Sequence, residues 1–514
     1  MTTSPPDRFN IADYFLDDRI AEGRGARVAL RWGDENLSYS EVQAAANRAA
    51  GALQALDVRP QERVMIAMED GLPWVATFFG ILKLGAVVVM VNPKLKADNL
   101  ARLFDYVEPE LVVLDNEVLA EFTTAASDAL RAPRFLVRGA DDDGQHSSYE
   151  TLTAAADPCF DNAQTHRDDP AIWLFSGGTT GLPKGVVQSH TSFANTTELY
   201  AKGALGYCED DITLSVPKLF FGYATGSNLL FPFAVGASVV LFPEHPTSEV
   251  LFEQIVRTRP TILINVPTMV NQMVSHPEAP AQDFSSLRFA TSAGEALPVP
   301  LYEQWKETFG VELLDGLGTA EMWHIFVTNR PDDVKPGTLG RVVEGFEIEV
   351  RNDLGQSVAP NEPGTMWVRG NSRAIGYWRN SRRNHQAFQG GWFVGGDLIS
   401  RDAEGYVTYC GRGDDVLKVG GKWLAPQEVE SCLMRHPAVK ECAVVGVENS
   451  DGLTKPCAFV IASRPIDEET LKQHALDNLD AYKHPREVRF LDDFPRTHLG
   501  KVDRGALKKL AAQE

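Results

Sequence analysis

The stretch with the clearest chemical potential is SGGTTGLPKG, from Ser176 to Gly185. Glycine lets backbone N–H groups approach an anion closely, and the hydroxyls of Ser176, Thr179 and Thr180 add donors. Together with the amides of Gly177, Gly178 and Gly181 and the ammonium of Lys184, the stretch suits the β- and γ-phosphates of a nucleotide. A Walker-type loop needs Ser or Thr directly after its lysine and a helix beyond it. Here Gly185 and then VVQSH follow Lys184, and the β-branched residues favour a strand. The expectation is a Gly/Thr hairpin that clamps a triphosphate without a helix dipole, although a Gly-rich turn with no ligand has the same local composition.

The elements that must hold this loop are readable around it. AIWLF, Ala171 to Phe175, is a buried strand delivering the chain into the loop. Upstream, SEVQAAANRAAGALQAL has helical periodicity, and ERVMIAM and AVVVMVN are apolar β-rich runs. The alternation recurs at SVVLFPE and TILINVP, so the body is layered α/β. From Gly337 to Tyr409 short strands (FEIEVRND, GTMWVRG, GYVTYCG) between Gly, Asn and Asp turns predict a small β subdomain. After GRGDD a new helix, PQEVESCLMRH, two strands, another helix and a basic tail form an α+β unit of about a hundred residues, an ordinary size for a domain. The reading is an α/β fold with a large N-terminal body, residues 1–413, and a mobile α+β C-terminal domain, residues 414–514. A chain of 514 residues exceeds one core of usual size, so a cleft between folding units is expected.

Forty-nine basic and seventy acidic residues leave a formal charge of −21, which disfavours nucleic acid and anionic membranes as partners. An anionic ligand must be gripped locally. The N-terminus lacks the pattern of a secretory signal, and the longest apolar run is too short to span a bilayer. Six scattered cysteines without metal-ligand spacing suit a reduced, cytoplasmic protein. Monomer and homodimer both remain open.

Five more motifs follow the loop in order: SAGEALP at Ser292, DGLGTAEM at Asp315, GWFVGGD ending at Asp397, GRGDDVLKVGGKWLAPQEVE from Gly411, and PRTHLGKVDR from Pro495. With them the chain resembles, over nearly its whole length, the adenylate-forming acyl- and aryl-CoA synthetases, relatives of luciferases and peptide-synthetase adenylation domains. KLFFGYATG (Lys218 to Gly226) and EMWHIF (Glu321 to Phe326) are most similar to the benzoate-CoA ligase branch.

The resemblance implies a two-step reaction: a carboxylic acid and ATP give acyl-AMP and pyrophosphate, and coenzyme A then displaces AMP. It implies that Lys501 bridges carboxylate and α-phosphate in the first step, where positive charge is needed. It gives Glu321 the Mg²⁺, Asp397 the ribose hydroxyls, and Arg412 the ribose and phosphate side. Gly294, Glu295, Ala296, Asp315, Gly316, Leu317 and Thr319 would line the nucleotide, largely through backbone. Alone, Lys501 reads as a surface lysine, and Glu321, Asp397 and Arg412 as turn or ion-pair residues. Two departures stand out. Ala320 replaces the usual Thr before the metal-binding Glu, which puts in doubt a phosphate hydrogen bond worth about 1.5–3 kcal/mol and leaves Thr319 next door as the alternative donor, and Leu317 replaces a Tyr against the adenine.

In the second step a thiol must reach the carbonyl that Lys501 guarded. The resemblance implies that the C-terminal domain swings about Asp414, bringing in a loop with Lys418, Gly420 and Gly421, where absent Cβ atoms leave room for a pantetheine arm. Tyr482, His484 and Arg486 would meet the CoA nucleotide. Phe221, Gly222, Tyr223, Ala224, Gly318, His324 and Ile325 would shape a flat pocket. Relatives commonly carry Ala at Gly222, and the missing methyl suggests room for a ring substituent, so the expected acid is benzoate or a small substituted benzoate such as 2-aminobenzoate. His324 reads either as a satisfied core histidine or as a substrate contact. Two rival readings keep the motifs: loading of a carrier-protein phosphopantetheine, and, motivated by Ala320, a catalytically silent nucleotide-binding protein.

Overall fold

The computed structural model describes residues 4–140, 146–176, 183–413, 417–419, 422–448, 454–496 and 502–512. The body is built on two large, mainly parallel sheets of nine and eight strands. The predicted first helix runs Tyr39–Ala55 and starts on a capping box: Ser38 Oγ accepts from Glu41 N at 3.3 Å while Glu41 Oε2 accepts from Ser38 N at 2.7 Å. It packs on helix Leu72–Lys83 so closely that a Cβ on Gly80 would lie 2.9 Å from the Ala49 Cβ, a contact only glycine permits. ERVMIAM and AVVVMVN become the parallel strands Arg63–Ala67 and Val87–Met90 of the eight-stranded sheet. Their side chains are almost all buried because helices cover both faces.

The nine-stranded sheet brings strand Phe289–Ala293 between Ile262–Asn265 and Leu313–Gly318, all parallel, with Ser292 opposite Asp315 and Ala293 opposite Gly316. Both the SAGEA and DGLG segments therefore leave the sheet side by side at the carboxyl ends of adjacent strands, where open α/β sheets commonly bind ligands.

The small β region is present as a five-stranded antiparallel sheet, including Glu347–Arg351, Gly364–Arg369, Trp392–Arg401 and Val407–Arg412. It is less self-contained than its sequence suggests. Arg341–Val342 pairs into the nine-stranded sheet, and Gly376–Tyr377 pairs with Val186 and Val187 at the edge of the eight-stranded one. Both insertions pair unsatisfied edge amides, which local periodicity does not register.

The C-terminal unit has its own apolar core under strands Val439–Glu448, Thr454–Ala462 and Glu487–Phe490, with helices Pro426–Leu433, Glu468–Asn478 and Arg504–Ala511. All six cysteines are free thiols. No helix among the described residues is long and apolar enough to cross a membrane.

Candidate nucleotide and acid site

AIWLF lies in strand Pro170–Ser176, which pairs antiparallel with Lys184–Ser189, Ser176 opposite Lys184. The hairpin and its second strand are as expected. Gly177, Gly178, Thr179, Thr180 and Gly181 lie outside the described residues. The base of the hairpin is clamped from two directions: Gly185 N–H donates to the Tyr106 hydroxyl at 3.1 Å, and Trp378 N–H donates to the Gly185 carbonyl at 2.8 Å. The Lys184 ammonium lies 5.5 Å from the centre of the Tyr377 ring, within cation–π range.

Glu321 sits in the short turn Ala320–Met322, whose preceding Thr319 hydroxyl accepts from Met322 N–H at 3.3 Å. Thr319 is thus engaged in capping. Gln188 Nε2 donates to the Ala320 carbonyl at 2.6 Å, and the Glu321 carbonyl accepts from Ala374 N–H at 2.8 Å. The Glu321 carboxylate is largely buried, and its Oε1 accepts from the Tyr377 hydroxyl at 2.8 Å. Trp323 follows at φ 68°, a costly conformation for a bulky residue. It is held there because its buried ring packs on Phe193 at 4.0 Å between centroids. This bend lets Glu321 turn to Tyr377 while His324, three residues on, turns to Tyr223.

Glu321 fits one Mg²⁺ completed by substrate phosphates and water, the usual arrangement for that hard ion. No cluster of three metal-ligating side chains occurs among the described residues. The ion would be held by Glu321, and it would draw charge from the triphosphate.

Asp315 is buried, and burial pushes its carboxyl up to about 8. Glu295 does not offer its carboxylate freely: Oε2 accepts from Thr268 N–H at 3.2 Å and from the Thr268 hydroxyl at 2.7 Å. A nucleotide placed here would meet the backbone of Gly294, Ala296, Gly316 and Leu317 and not these carboxylates; Leu317 packs against the body core. Asp397 and Arg412 face each other across adjacent strands. Asp397 Oδ1 accepts from the Tyr409 hydroxyl at 3.0 Å and lies 3.8 Å from Arg412 Nη1. A Cβ on Gly396 would lie 2.8 Å from Arg412 Nη2, and one on Gly395 3.4 Å from Asp397 Oδ2. The glycine pair leaves both side chains uncrowded.

The residues expected to shape an acid pocket lie close together. Phe221 precedes the turn Gly222–Thr225, in which Ala224 is buried. The Tyr223 hydroxyl and Thr291 Oγ1 are 2.6 Å apart, and His324 Nε2 is 3.0 Å from the Tyr223 carbonyl and 3.2 Å from Ser227 Oγ. A carbonyl accepts only, so Nε2 carries the proton. Burial lowers the His324 pKa to about 4, making it a neutral wall residue at physiological pH. Gly318 is required because a Cβ would lie 2.4 Å from the His324 carbonyl oxygen, and Ile325 packs beside Gly316. The volume missing at Gly222 is bounded by Leu174, 3.0 Å from a Cβ, and is not open space. Sequence reasoning did not single out Leu174, Gly226, Thr291 and Tyr377 for the site; of these Leu174 lay in the AIWLF strand and Gly226 closed KLFFGYATG, while Thr291 and Tyr377 lay in none of the quoted stretches.

In the C-terminal unit His484 and Arg486 are adjacent, with Arg486 Nη1 2.6 Å from His484 Nε2, and Tyr482 packs on the unit's core. Lys501, Gly420, Gly421 and Asp414 lie outside the described residues, as does the Lys418 side chain. The chain on either side of 497–501 is tied: Arg496 and Val502 form an antiparallel bridge and Asp503 N–H donates to the Pro495 carbonyl at 2.7 Å.

The chain is similar to known proteins over nearly its whole length. Residues 17–378 match the AMP-binding enzyme family and residues 428–501 the AMP-binding enzyme C-terminal domain. The chain is 37% identical over 511 residues to a benzoate-CoA ligase of Thauera aromatica, covering 98% of this chain and 96% of the relative. It superposes with a TM-score of 0.94 on the anthranilate CoA ligase AuaEII in complex with anthranoyl-AMP, at 37% identity and covering 99% and 98% of the two chains. A benzoate CoA ligase from Burkholderia xenovorans LB400 gives 0.89, again at 37% identity, covering 97% and 100%. With both parts matched and near-complete coverage of full-length relatives, the chain belongs to the AMP-binding enzyme family.

Proposed function

We propose that the protein is an aryl-CoA ligase that activates benzoate or a small ring-substituted benzoate such as 2-aminobenzoate. The observation that supports this reading is the closely packed cluster of Tyr223, Gly318, His324 and Ile325, neutral at its one imidazole. Lys218, the cation in the neighbouring segment, directs its ammonium to the Phe242 carbonyl and lies 3.7 Å from the centre of the Phe242 ring. A second carboxylate on the acid finds no partner in that lysine.

In the first half-reaction a carboxylate oxygen attacks the α-phosphorus, the bond to the β-phosphate oxygen breaks, and pyrophosphate leaves. Lys501 neutralises the approaching anions, Lys184 and the Ser176–Gly181 segment hold the β- and γ-phosphates, Glu321 holds Mg²⁺, and Asp397 with Arg412 fixes the ribose. In the second, the CoA sulfur attacks the acyl carbon, its proton leaves to solvent or base, and AMP departs. The C-terminal domain, residues 414–514, turns about Asp414 between the two, exchanging Lys501 for the loop of Lys418, Gly420 and Gly421, with Tyr482, His484 and Arg486 on the CoA side. Six free thiols suit a cytoplasmic enzyme.

Acid-dependent pyrophosphate–ATP exchange over benzoates, cinnamates and fatty acids, followed by addition of CoA, tests the reading. Benzoate or 2-aminobenzoate should drive both exchange and thioester formation, and Lys501→Ala should stop the exchange. Exchange with medium-chain fatty acids and with no benzoate would defeat it.

A further inference from the structure

Tyr377 belongs to none of the motifs that announce the site, yet it touches two of its charged groups. Its hydroxyl donates to Glu321 Oε1 at 2.8 Å, and its ring lies 5.5 Å below the Lys184 ammonium. The residue arrives from more than fifty positions beyond Glu321, on the two-residue strand Gly376–Tyr377 that pairs with Val187 and Val186. That is the strand Lys184 begins. The Tyr377 backbone is fixed a second time by Asn384, whose Oδ1 accepts from Tyr377 N–H at 2.7 Å and whose Nδ2 donates to the Tyr377 carbonyl at 2.9 Å. The ring is buried beside Phe388. Neither backbone nor ring has room to swing.

We propose that Tyr377 is a positioning residue for the metal step: its hydroxyl holds Oε1 of Glu321 so that Oε2 is presented to Mg²⁺ bound with ATP. The inference rests on the reading that Glu321 is the metal-holding carboxylate. A glutamate side chain free to rotate presents either oxygen in several directions, and ordering it on ion arrival carries a conformational cost. Here that order exists beforehand. Glu321 Oε2 has no hydrogen bond among the described residues, so the phenol consumes one oxygen and leaves the other. A phenol keeps its proton at neutral pH, and a carboxylate oxygen can only accept, so the hydroxyl is the donor in this contact. The second contact, to Lys184, ties the lysine of the phosphate hairpin to the same side chain.

The test uses the full chain without acid, so that ATP is bound and not consumed. Calorimetric titration with ATP is run in saturating Mg²⁺ and in EDTA for the parent, Tyr377→Phe, Glu321→Gln and the double variant. Phenylalanine keeps the ring, its seat under Lys184 and the backbone pairing, and removes only the hydroxyl. The hydroxyl also bonds the metal-free carboxylate, so only part of a charged hydrogen bond's strength is differential; the Mg²⁺-dependent gain in ATP affinity should fall by about 3- to 10-fold. The Kd in EDTA should stay at the parental value. Glu321→Gln should remove the gain, and the double variant should match Glu321→Gln alone. If Tyr377→Phe keeps the whole Mg²⁺ gain while Glu321→Gln loses it, the positioning role is wrong. An equal loss in EDTA, or an additive loss in the double variant, overturns it as well. If Glu321→Gln itself keeps the gain, the assignment of Glu321 fails instead.

Discussion

Replacing Arg504 by methionine should unmake the C-terminal unit while leaving the body intact. Arg504 forms a two-pronged pair with Glu430, Nη1 to Oε1 at 2.6 Å and Nη2 to Oε2 at 3.0 Å, and Nη1 also donates to the Val444 carbonyl at 2.7 Å. Glu430 is only 8% exposed and accepts from Val444 N–H at 2.7 Å. Methionine fills similar volume but strands a buried carboxylate with one backbone donor. Removing one partner of a buried pair costs about 3–5 kcal/mol, and the part-exposed guanidinium places this case near 3. For a unit of roughly a hundred residues, 1 kcal/mol moves Tm by about 4–8 °C, so the expected fall is about 12–24 °C. Differential scanning calorimetry of the full chain should show one transition moving down and the body's transition staying. Arg504 lies three residues after Lys501, so pyrophosphate exchange should be lost at the lower temperature, while acid binding to the body persists. Superimposable melting curves for parent and variant would refute the claim that this pair holds the unit together. Two transitions falling in parallel would refute the independence of the two cores.

Other outcomes follow from the site. Gly226→Ala places a Cβ 2.5 Å from His324 Cδ2 and 2.7 Å from Nε2; overpacking of this kind costs about 1–3 kcal/mol, so KM for benzoate should rise about tenfold with ATP affinity unchanged, and an unaltered KM would remove His324 from the acid wall. Ala320→Thr should speed adenylation by about 10- to 150-fold if a phosphate hydrogen bond is restored, read from the single-turnover rate; no gain would show that another group already supplies it. His190 is buried with Nδ1 accepting from Ile11 N–H at 3.2 Å, and burial lowers its pKa to about 4. A lowered histidine pKa means that the unfolded chain binds the proton first, so the stability its neutral ring provides is present above pH 6.5 and lost as pH falls toward 4. The stability difference between parent and His190→Gln should shrink by up to about 3 kcal/mol over that range, and a difference flat from pH 7 to pH 4 would contradict it.

What the sequence disclosed and what it concealed divide along one line. The strand after the phosphate loop was legible because Val186 and Val187 directly follow Gly185, and the helix Tyr39–Ala55 because its cap and period are local. The adjacency of the SAGEA and DGLG segments was not written in either, since parallel neighbours are joined only through the sheet. Tyr377 was hidden for the same reason: its strand has two residues, too few for any period, and its partners lie about 190 and 56 positions away along the chain. The state of His324 could not be read from its type, because the same imidazole would titrate near neutrality if exposed; burial decides it, outweighing the Tyr223 carbonyl, which pulls the pKa the other way. Even Gly222, whose missing methyl suggested spare room, is constrained by Leu174, a residue nearly fifty positions earlier.

The short insertion at Gly376–Tyr377 has a bearing on solution behaviour as well as on the reaction. Strand Lys184–Ser189 would otherwise end the eight-stranded sheet with its amides and carbonyls unpaired beside apolar valines, an invitation for a second copy to add its own strand. Two residues are enough to blunt that invitation and too few to extend it. A lesion that breaks this backbone pairing should first be noticed as self-association during expression, before any assay of turnover is attempted.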